Sequence, residues 1–503
     1  MGSMYQRLTS LLASKKFFYG LLIVLVFQAL WIALSGPYPM AFDEDFHLGI
    51  IRLYAHHLSP FWSYQPTNAD MFGAVFRDPS YLYHYLLSFP YRLISLLRHS
   101  GTSQVLVLRF INIGLFASAM PLYRRLLLKT GASRATVHVV LTFFILIPIV
   151  PFVAAQINYD NLLLPLTALS LLLTASISQE LKKSRQLNTL KLAELLVLGL
   201  FTALVKYAFL PILVAIGVFL GIEFYYYLGR QKQFWRTLVT GVSAMPRRSL
   251  WFLLIGFVLA SGLCLERYGL NLVHYHDLVP DCADVLGVQK CSAYSPWVRD
   301  YNFAAAKATN LRGPVGYSST WGYGMWLRSF FAVDGPATQF ETRGPLLLPS
   351  LAAIPLLGFG LMFFLIRLRP IFKKYDATVL GILILASLFY LFILWLDGYR
   401  SYLKVGQPVA INGRYLLPIL LPLMVIVALG YVEALRNHQR LRLAIAVIGI
   451  ICFIWGGGFL TYVLRSRESW YWPNRYVVNA NRFVRQGLSP IVPGTKNPIQ
   501  FLP

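Results

Sequence analysis

Apolar runs of similar length, separated by short charged connections, set the pattern of this chain. Uncharged stretches at 17–35, 135–155, 162–177, 249–265, 345–366, 377–396, 415–432 and 443–464 each come near the ~20 residues an α-helix needs to cross a bilayer. Another run, Ser103 to Tyr123, carries Arg109 near one end. The apolar segment between 191 and 230 has a strongly basic connection on either side, so it is predicted to cross and return as a hairpin. The pattern predicts an all-α polytopic membrane protein with about 11 transmembrane helices.

Two long polar segments, 36–102 and 266–344, interrupt the pattern, and a polar tail, 465–503, follows the last run. In the first segment Ile50, Ile51, Leu53, Tyr54 and Leu58 form an apolar stripe, and "SYLYHYLLSFPYRLISLLRHS" forms a second amphipathic stretch. Both are predicted to be interfacial helices. The second segment, with "GPVGYSSTWGYGMWLRSFF", is too apolar to float in water and too interrupted to cross. It is expected to cap the bundle and roof a cavity. The tail's "WYWPNRYVVNANRF" has the aromatics of an interface anchor. The chain thus divides into 1–16, a cytoplasmic segment opening on the tag scar "MGSM"; 17–265, a transmembrane module that holds the first outer loop, 36–102; 266–344, the capping loop; 345–464, the remaining helices; and 465–503, an outer tail. No repeat of fixed length is visible, unlike the inverted-repeat transporters.

Composition agrees, with 57% hydrophobic and only 13% charged residues in a chain of 503, which excludes a soluble protein. The net charge of +25 raises nucleic acid as a partner. However, the bases pile up in short connections, such as Arg124, Arg125, Lys129 and Arg134, or Lys182, Lys183, Arg185 and Lys191. This is the positive-inside signature, and it reports topology rather than a nucleic-acid partner. It puts the N-terminus inside and both large loops and the tail outside. Cys264 and Cys452 sit in apolar runs, where a small buried hydrophobe is the ordinary reading. Cys282 and Cys291 lie nine apart in the second outer loop, where an oxidising compartment favours a disulfide. A zinc site there is disfavoured, since only His274 and His276 are near.

The chemistry-bearing residues gather on the predicted outer side. Asp43, Glu44 and Asp45 follow the first span, with His47 one helical turn after Asp43 on the same face. One acid suffices as a helix N-cap, so three together point to proton transfer or a cation. Asp160, in "AAQINYDNLLLPLT", stands at a turn between two spans on the same side, where turn chemistry is the simpler reading. Two such carboxylates can act as a general base or hold a divalent cation, Mg or Mn, with Asp43 and Asp160 as its ligands. Lys206, in the hairpin "FTALVKYAFLPIL", is either a snorkelling lysine or an ammonium kept for an anion. Arg414, with Tyr415 beside it in "GQPVAINGRYLLPILLP", offers a planar fork for a phosphate or an interfacial anchor. Arg109 is a further substrate-binding candidate or the structural partner of an acid.

As an ordered set these motifs resemble the GT-C superfamily of integral-membrane glycosyltransferases, which use polyprenyl-phosphate-linked sugars. "FDEDFHLGIIRLYAHH" looks like that superfamily's acidic motif in the first outer loop, and "RDPSYLYHYLLSF" like its Pro plus Tyr/Leu stretch. "LRFINIGLFASAMPLYRRLLLKTG" is similar to its second span and basic turn, "QINYDNLLLPLT" to its second acidic site, and "LFTALVKYAFLP" to its lysine-bearing hairpin. The resemblance covers most of 17–230, and "NGRYLLPILLP" looks like a segment of a bacterial branch.

The resemblance implies an inverting transfer at the outer face of a bacterial inner membrane. A first-loop carboxylate deprotonates an acceptor hydroxyl on a glycan, lipid or protein, and a lipid phosphate leaves the anomeric carbon. Carried over, Asp43 is the base with Glu44 as fallback, and Asp160 orients the acceptor or a metal. Lys206 and Arg414 hold the carrier phosphate, while His47, Arg109 and Tyr415 complete the substrate site. Three acids in a row, where the motif has two, leave the register of the base open. A transporter or flippase of lipid-linked saccharide is the competing function, since it too needs outward cations and an aromatic cavity.

Overall fold

The structure, a computed structural model, describes residues 2–40, 43–97, 100–229, 231–306, 310–330, 347–409, 411–466 and 468–491. The end of the second outer loop and the end of the tail lie outside the described residues. Every regular element among the described residues is helical.

A short helix α1 (Gly2–Ala13) leads into α2 (Lys15–Ser35), whose start is capped by Ser14 Oγ accepting the Phe17 N–H at 3.1 Å. The first loop contributes α3 (Glu44–Ala55) and α4 (Leu82–Leu96), which lie side by side. The long α5 (Gly101–Lys129) follows. Next come α6 (Arg134–Leu146) and the six-residue α7 (Ile149–Ala154), separated at Pro148, which supplies no N–H and ends the first of the two. α8 (Asp160–Ser184) then precedes the hairpin of α9 (Thr189–Val205) and α10 (Leu210–Leu228). Lys206 sits at the hairpin's tip in extended backbone.

Beyond the basic helix α11 (Gln231–Ser243), α12 (Arg247–Cys264) continues without interruption through a π-helical turn, Leu265–Gly269, into α13 (Leu270–Tyr275). The second loop holds α14 (Cys282–Leu286), α15 (Val288–Cys291), α16 (Ser295–Ala305) and α17 (Pro314–Phe330). After α18 (Leu347–Ile366) and α19 (Leu368–Lys374) come the long α20 (Ala377–Val405), α21 (Leu417–Ala434), and α22 (Gln439–Ile454) with α23 (Phe459–Arg465). α24 (Arg475–Leu488) closes the described chain.

Nine helices among the described residues are long and apolar enough to cross a membrane. The expected count was higher, and two of the expected crossings fall short in length: α6 with 13 residues, broken at Pro148, and α9 with 17. The other difference lies at 266, where a loop was expected. The helix runs on to Tyr275 because Glu266 and Arg267, which look like loop charges, are paired inside the protein. Arg77 donates to Glu266 Oε1 at 2.8 Å, and Arg267 is buried against Phe61 and Tyr81, donating to the carbonyls of Phe76 and Pro60.

The two ends of the bundle differ in kind. At one end the short basic connections are tied by Lys129 to Gln179, Gln179 to Asp376, and Lys374 to Glu433. The other end gathers both large loops and the tail. Trp472 N–H donates to Ser35 O at 3.0 Å and the Trp31 indole to Asn481 at 3.0 Å, which folds α24 back over the end of α2. Cys282 and Cys291 are joined by a disulfide, Cα–Cα 5.9 Å, which closes the short α14–α15 turn.

Candidate functional site

At the loop end, consecutive acids of the first loop have separate fates. Glu44 opens α3 and is fully buried, as is Arg109 from α5. Its Oε1 accepts from Arg109 Nε at 2.8 Å and Ile157 N at 3.2 Å, and its Oε2 from Arg109 Nη2 at 2.7 Å and Met40 N at 2.8 Å. Arg109 also donates to the carbonyls of Ala33, Gly36 and Pro37 at 2.8, 2.6 and 3.0 Å. All five guanidinium N–H donors are thereby committed to the protein, and the Trp472 ring covers the group at 5.6 Å. Of the two readings open for Arg109, the structural partner of an acid is the one this geometry matches.

Asp43 precedes α3 in left-handed backbone, φ 69°, and makes no capping hydrogen bond with its side chain. Left-handed conformation is uncommon outside glycine, and it turns the carboxylate away from the helix N–H groups. That carboxylate instead accepts from Arg414 Nη2 at 2.6 Å and remains 52% exposed, while Arg414 is almost wholly buried. The N-cap explanation of Asp43 therefore fails. Asn412 Oδ1 accepts the Arg414 backbone N–H at 3.0 Å, starting the tight turn that leads into α21.

A second pair lies beside the first. Lys206 Nζ donates to Asp160 Oδ1 at 2.7 Å, both side chains buried. The ammonium also faces the rings of Tyr159 at 4.3 Å and Tyr415 at 5.3 Å. Asp160 Oδ2 has no hydrogen-bond partner among the described residues. The turn that delivers Asp160 is set by asparagines. Asn158 Oδ1 accepts the Asp160 N–H at 2.9 Å, and Asn112 of α5 takes hydrogen bonds from Tyr83 Oη at 2.8 Å and Asn161 Nδ2 at 3.0 Å. Three helices, α4, α5 and α8, and the hairpin tip thus fix one carboxylate.

His47 is buried rather than open to the mouth of the site. Its Nδ1 lies 2.9 Å from His84 Nε2, and its ring meets Tyr159 edge-on at 4.5 Å. Burial pushes both imidazoles down, His84 to about 3, so the pair is neutral at ordinary pH. Its reach to the site is through the Tyr159 ring. Asp45 is exposed and outside this group.

Among the described residues no three His, Cys, Asp or Glu side chains form a metal-holding group. The two carboxylates suggested for a divalent cation, Asp43 and Asp160, each face a fixed cationic side chain.

Sequence reasoning did not find Tyr159, His84, Asn112 or Tyr294. Tyr294 comes from the second loop, held by its N–H to Cys291 O at 2.9 Å, and its ring packs on Phe46 at 6.3 Å. The density of tyrosine in that loop was the available signal.

An apolar groove of about 710 Å³ adjoins the site. It runs between α6, α17, α18, α21 and α22, from Ser133 and Arg442 at the basic end to Leu416, Ser329 and Trp326 at the loop end. The lining face of α21 from Leu416 to Val432 is about 24 Å long, most of a bilayer's hydrocarbon depth. Its loop end meets the Arg414 turn, since Ser329 packs so closely on Gly413 that a Cβ there would strike its backbone. The chain matches no protein-family model, and no curated protein matches it in sequence.

Proposed function

We propose that this protein is a membrane glycosyltransferase that moves a sugar from a polyprenyl-phosphate carrier to an acceptor hydroxyl at the outer face, with inversion, in cell-envelope glycan or glycolipid synthesis. The observation that carries this reading is the junction of a membrane-deep apolar groove with a buried cation pair and an exposed carboxylate. A long isoprenoid tail fits the groove, its phosphate meets Arg414 and Lys206, and its sugar then lies beside Asp43.

In this reading Asp43 takes the proton of the acceptor hydroxyl. The oxygen attacks the anomeric carbon from the face opposite the carrier, and the bond to the phosphate oxygen breaks with its electron pair. Arg414 links base and leaving group, because its fork reaches both Asp43 and a phosphate oxygen. Lys206, with three N–H donors on a compact ammonium, supplies the second charge, and Asp160 orients it.

The groove's depth also raises a flippase for lipid-linked saccharide. Among the described residues its lining bears a charge only at Arg442, however, so a sugar phosphate would cross the membrane core without a polar partner, which is costly. Transfer from radiolabelled polyprenyl-phosphate sugar in detergent separates the two, since a flippase yields no glycosylated product. The reading also requires eleven crossings with the loop end outside. A cysteine probe at exposed Ser319 should label in intact cells and one at exposed Ser184 should not; the reverse would put the site on the wrong side.

A further inference from the structure

Beside the proposed catalytic pair, residues that do not line the apolar groove form a different wall. Lys206 is followed by Tyr207, 41% exposed at the hairpin's tip. The Tyr207 N–H donates to Ser80 Oγ at 3.0 Å, and the Ser80 N–H to Asp78 Oδ1 at 2.9 Å, so one serine locks Tyr207 and Asp78 together. Tyr294 faces them from the disulfide-closed loop. It lies against Gly73, φ +73°, where a Cβ would stand 3.0 Å from the ring, so this seat needs a glycine. The charges of Asp43 and Asp78 both bear on the Tyr294 hydroxyl, which burial keeps protonated. Burial also raises the Asp78 carboxyl. Tyr159, Tyr294 and Tyr415 are each half-buried. Behind them Asp160 Oδ2, buried and unpartnered among the described residues, is an acceptor waiting for a hydroxyl.

This wall differs in kind from the groove. The groove offers methyl and methylene groups to an apolar tail, whereas the mouth offers ring faces and carboxylate oxygens. A saccharide uses both: its C–H patches lie on tyrosine rings and its hydroxyls donate to carboxylates. A bare lipid alcohol brings a single hydroxyl, so it has none left for Asp78 or for Asp160 Oδ2 once that hydroxyl faces Asp43. We propose that the mouth formed by Tyr207, Tyr294 and Asp78 is an acceptor subsite for a saccharide, whose reacting hydroxyl it directs at Asp43. This rests on the transferase reading and names its acceptor class.

The test uses the full chain in lipid nanodiscs and saturation-transfer NMR. The probes are maltotriose, mannotriose and chitotriose, with farnesol and a serine-threonine peptide as competing acceptor classes. Undecaprenyl phosphate binding, titrated separately, reports the donor side. At least one trisaccharide should saturate, and Tyr207→Ala and Tyr294→Ala should each weaken its binding at least about fivefold. Asp78→Asn should weaken it as well, and none of the three should change undecaprenyl phosphate affinity. Tyr294→Ala stands in if Tyr207→Ala does not fold. The proposal is overturned if no trisaccharide binds while undecaprenyl phosphate still does, or if binding survives both tyrosine variants. It is also overturned if farnesol or the peptide takes the tyrosine-dependent site. Failure of undecaprenyl phosphate itself to bind would instead remove the transferase reading beneath it.

Discussion

Asp43 and Glu44 are consecutive, and each carboxylate meets an arginine from a distant helix, but the two pairs are built differently. Glu44 and Arg109 are both 0% exposed, every Arg109 donor is used, and a tryptophan from the tail lies over the guanidinium. Asp43 is half exposed, sits in left-handed backbone, and accepts a hydrogen bond from Arg414 at 2.6 Å. The same interaction type thus serves two ends. The sealed pair joins α2, α3, α5 and the turn before α8 into one unit. The open pair has a face that a substrate can reach.

The largest effect should come from the sealed pair. Glu44→Gln leaves a fully buried guanidinium without its counter-charge, which typically costs about 3 to 5 kcal/mol. The variant should express poorly and lose most of its thermal midpoint in detergent. If it instead folds normally and loses only transfer, the roles of the two acids are exchanged. The companion change, Asp43→Asn, should leave the midpoint near wild type, because one carboxylate is half in water. It should lower sugar transfer at least about a hundredfold, the typical contribution of a general base. Retained turnover in Asp43→Asn would remove the proposed mechanism.

This contrast also marks what could be read from the chain. Most of the apolar runs and the two helices of the first loop follow from residue spacing, because burial in lipid or against a neighbour demands sustained periodicity; the return of the tail over α2 does not. The acids at 43, 44 and 160 and the cations at 206 and 414 stood out because charge near apolar sequence is expensive. Which acid pairs with which cation did not. Glu44 and Arg109 lie far apart in sequence, and nothing local says that they meet. Nor does the sequence reveal the left-handed turn at Asp43, since aspartate takes ordinary backbone in most places. Glu266 and Arg267 looked like loop residues for the same reason: their partners, Arg77 and the carbonyls of Phe76 and Pro60, come from another segment.

A second comparison concerns the two cations. Arg414 is tied to the exposed acid and Lys206 to the buried one, and both are proposed to hold the carrier phosphate. Arg414→Ala and Lys206→Ala should each weaken undecaprenyl phosphate binding by about ten- to a hundredfold, the worth of a charged hydrogen bond. Lys206→Ala should also lower stability, since it strands Asp160, whereas Arg414→Ala releases an Asp43 that water already solvates. Isothermal titration with thermal scanning reads both quantities. Equal loss of stability in the two variants would contradict the difference drawn here between a closed and an open pair.

The smallest effect separates the site from its support. His47 and His84 face each other in the buried layer behind Tyr159, with the positive charges of Arg414 and Lys206 bearing on His47 and the rings of Phe46 and Tyr83 around them. Burial lowers both imidazoles, His84 to about 3, against an ordinary value of 6.5 in the unfolded chain. Between those values the unfolded state binds more protons than the folded one. Stability should therefore be fullest above pH 6.5 and fall as the pH drops toward 3, by at most about 1.4 kcal/mol per pH unit for each histidine. A His47→Asn, His84→Gln double variant removes this contribution while leaving the carboxylate pairs in place. Thermal midpoints at pH 7 and pH 5 should drop more steeply for the wild type than for the variant. Identical slopes would mean that the imidazoles gain protons in the folded state, and that His47 is in contact with the solvent of the site rather than part of the layer that holds Tyr159 against Lys206.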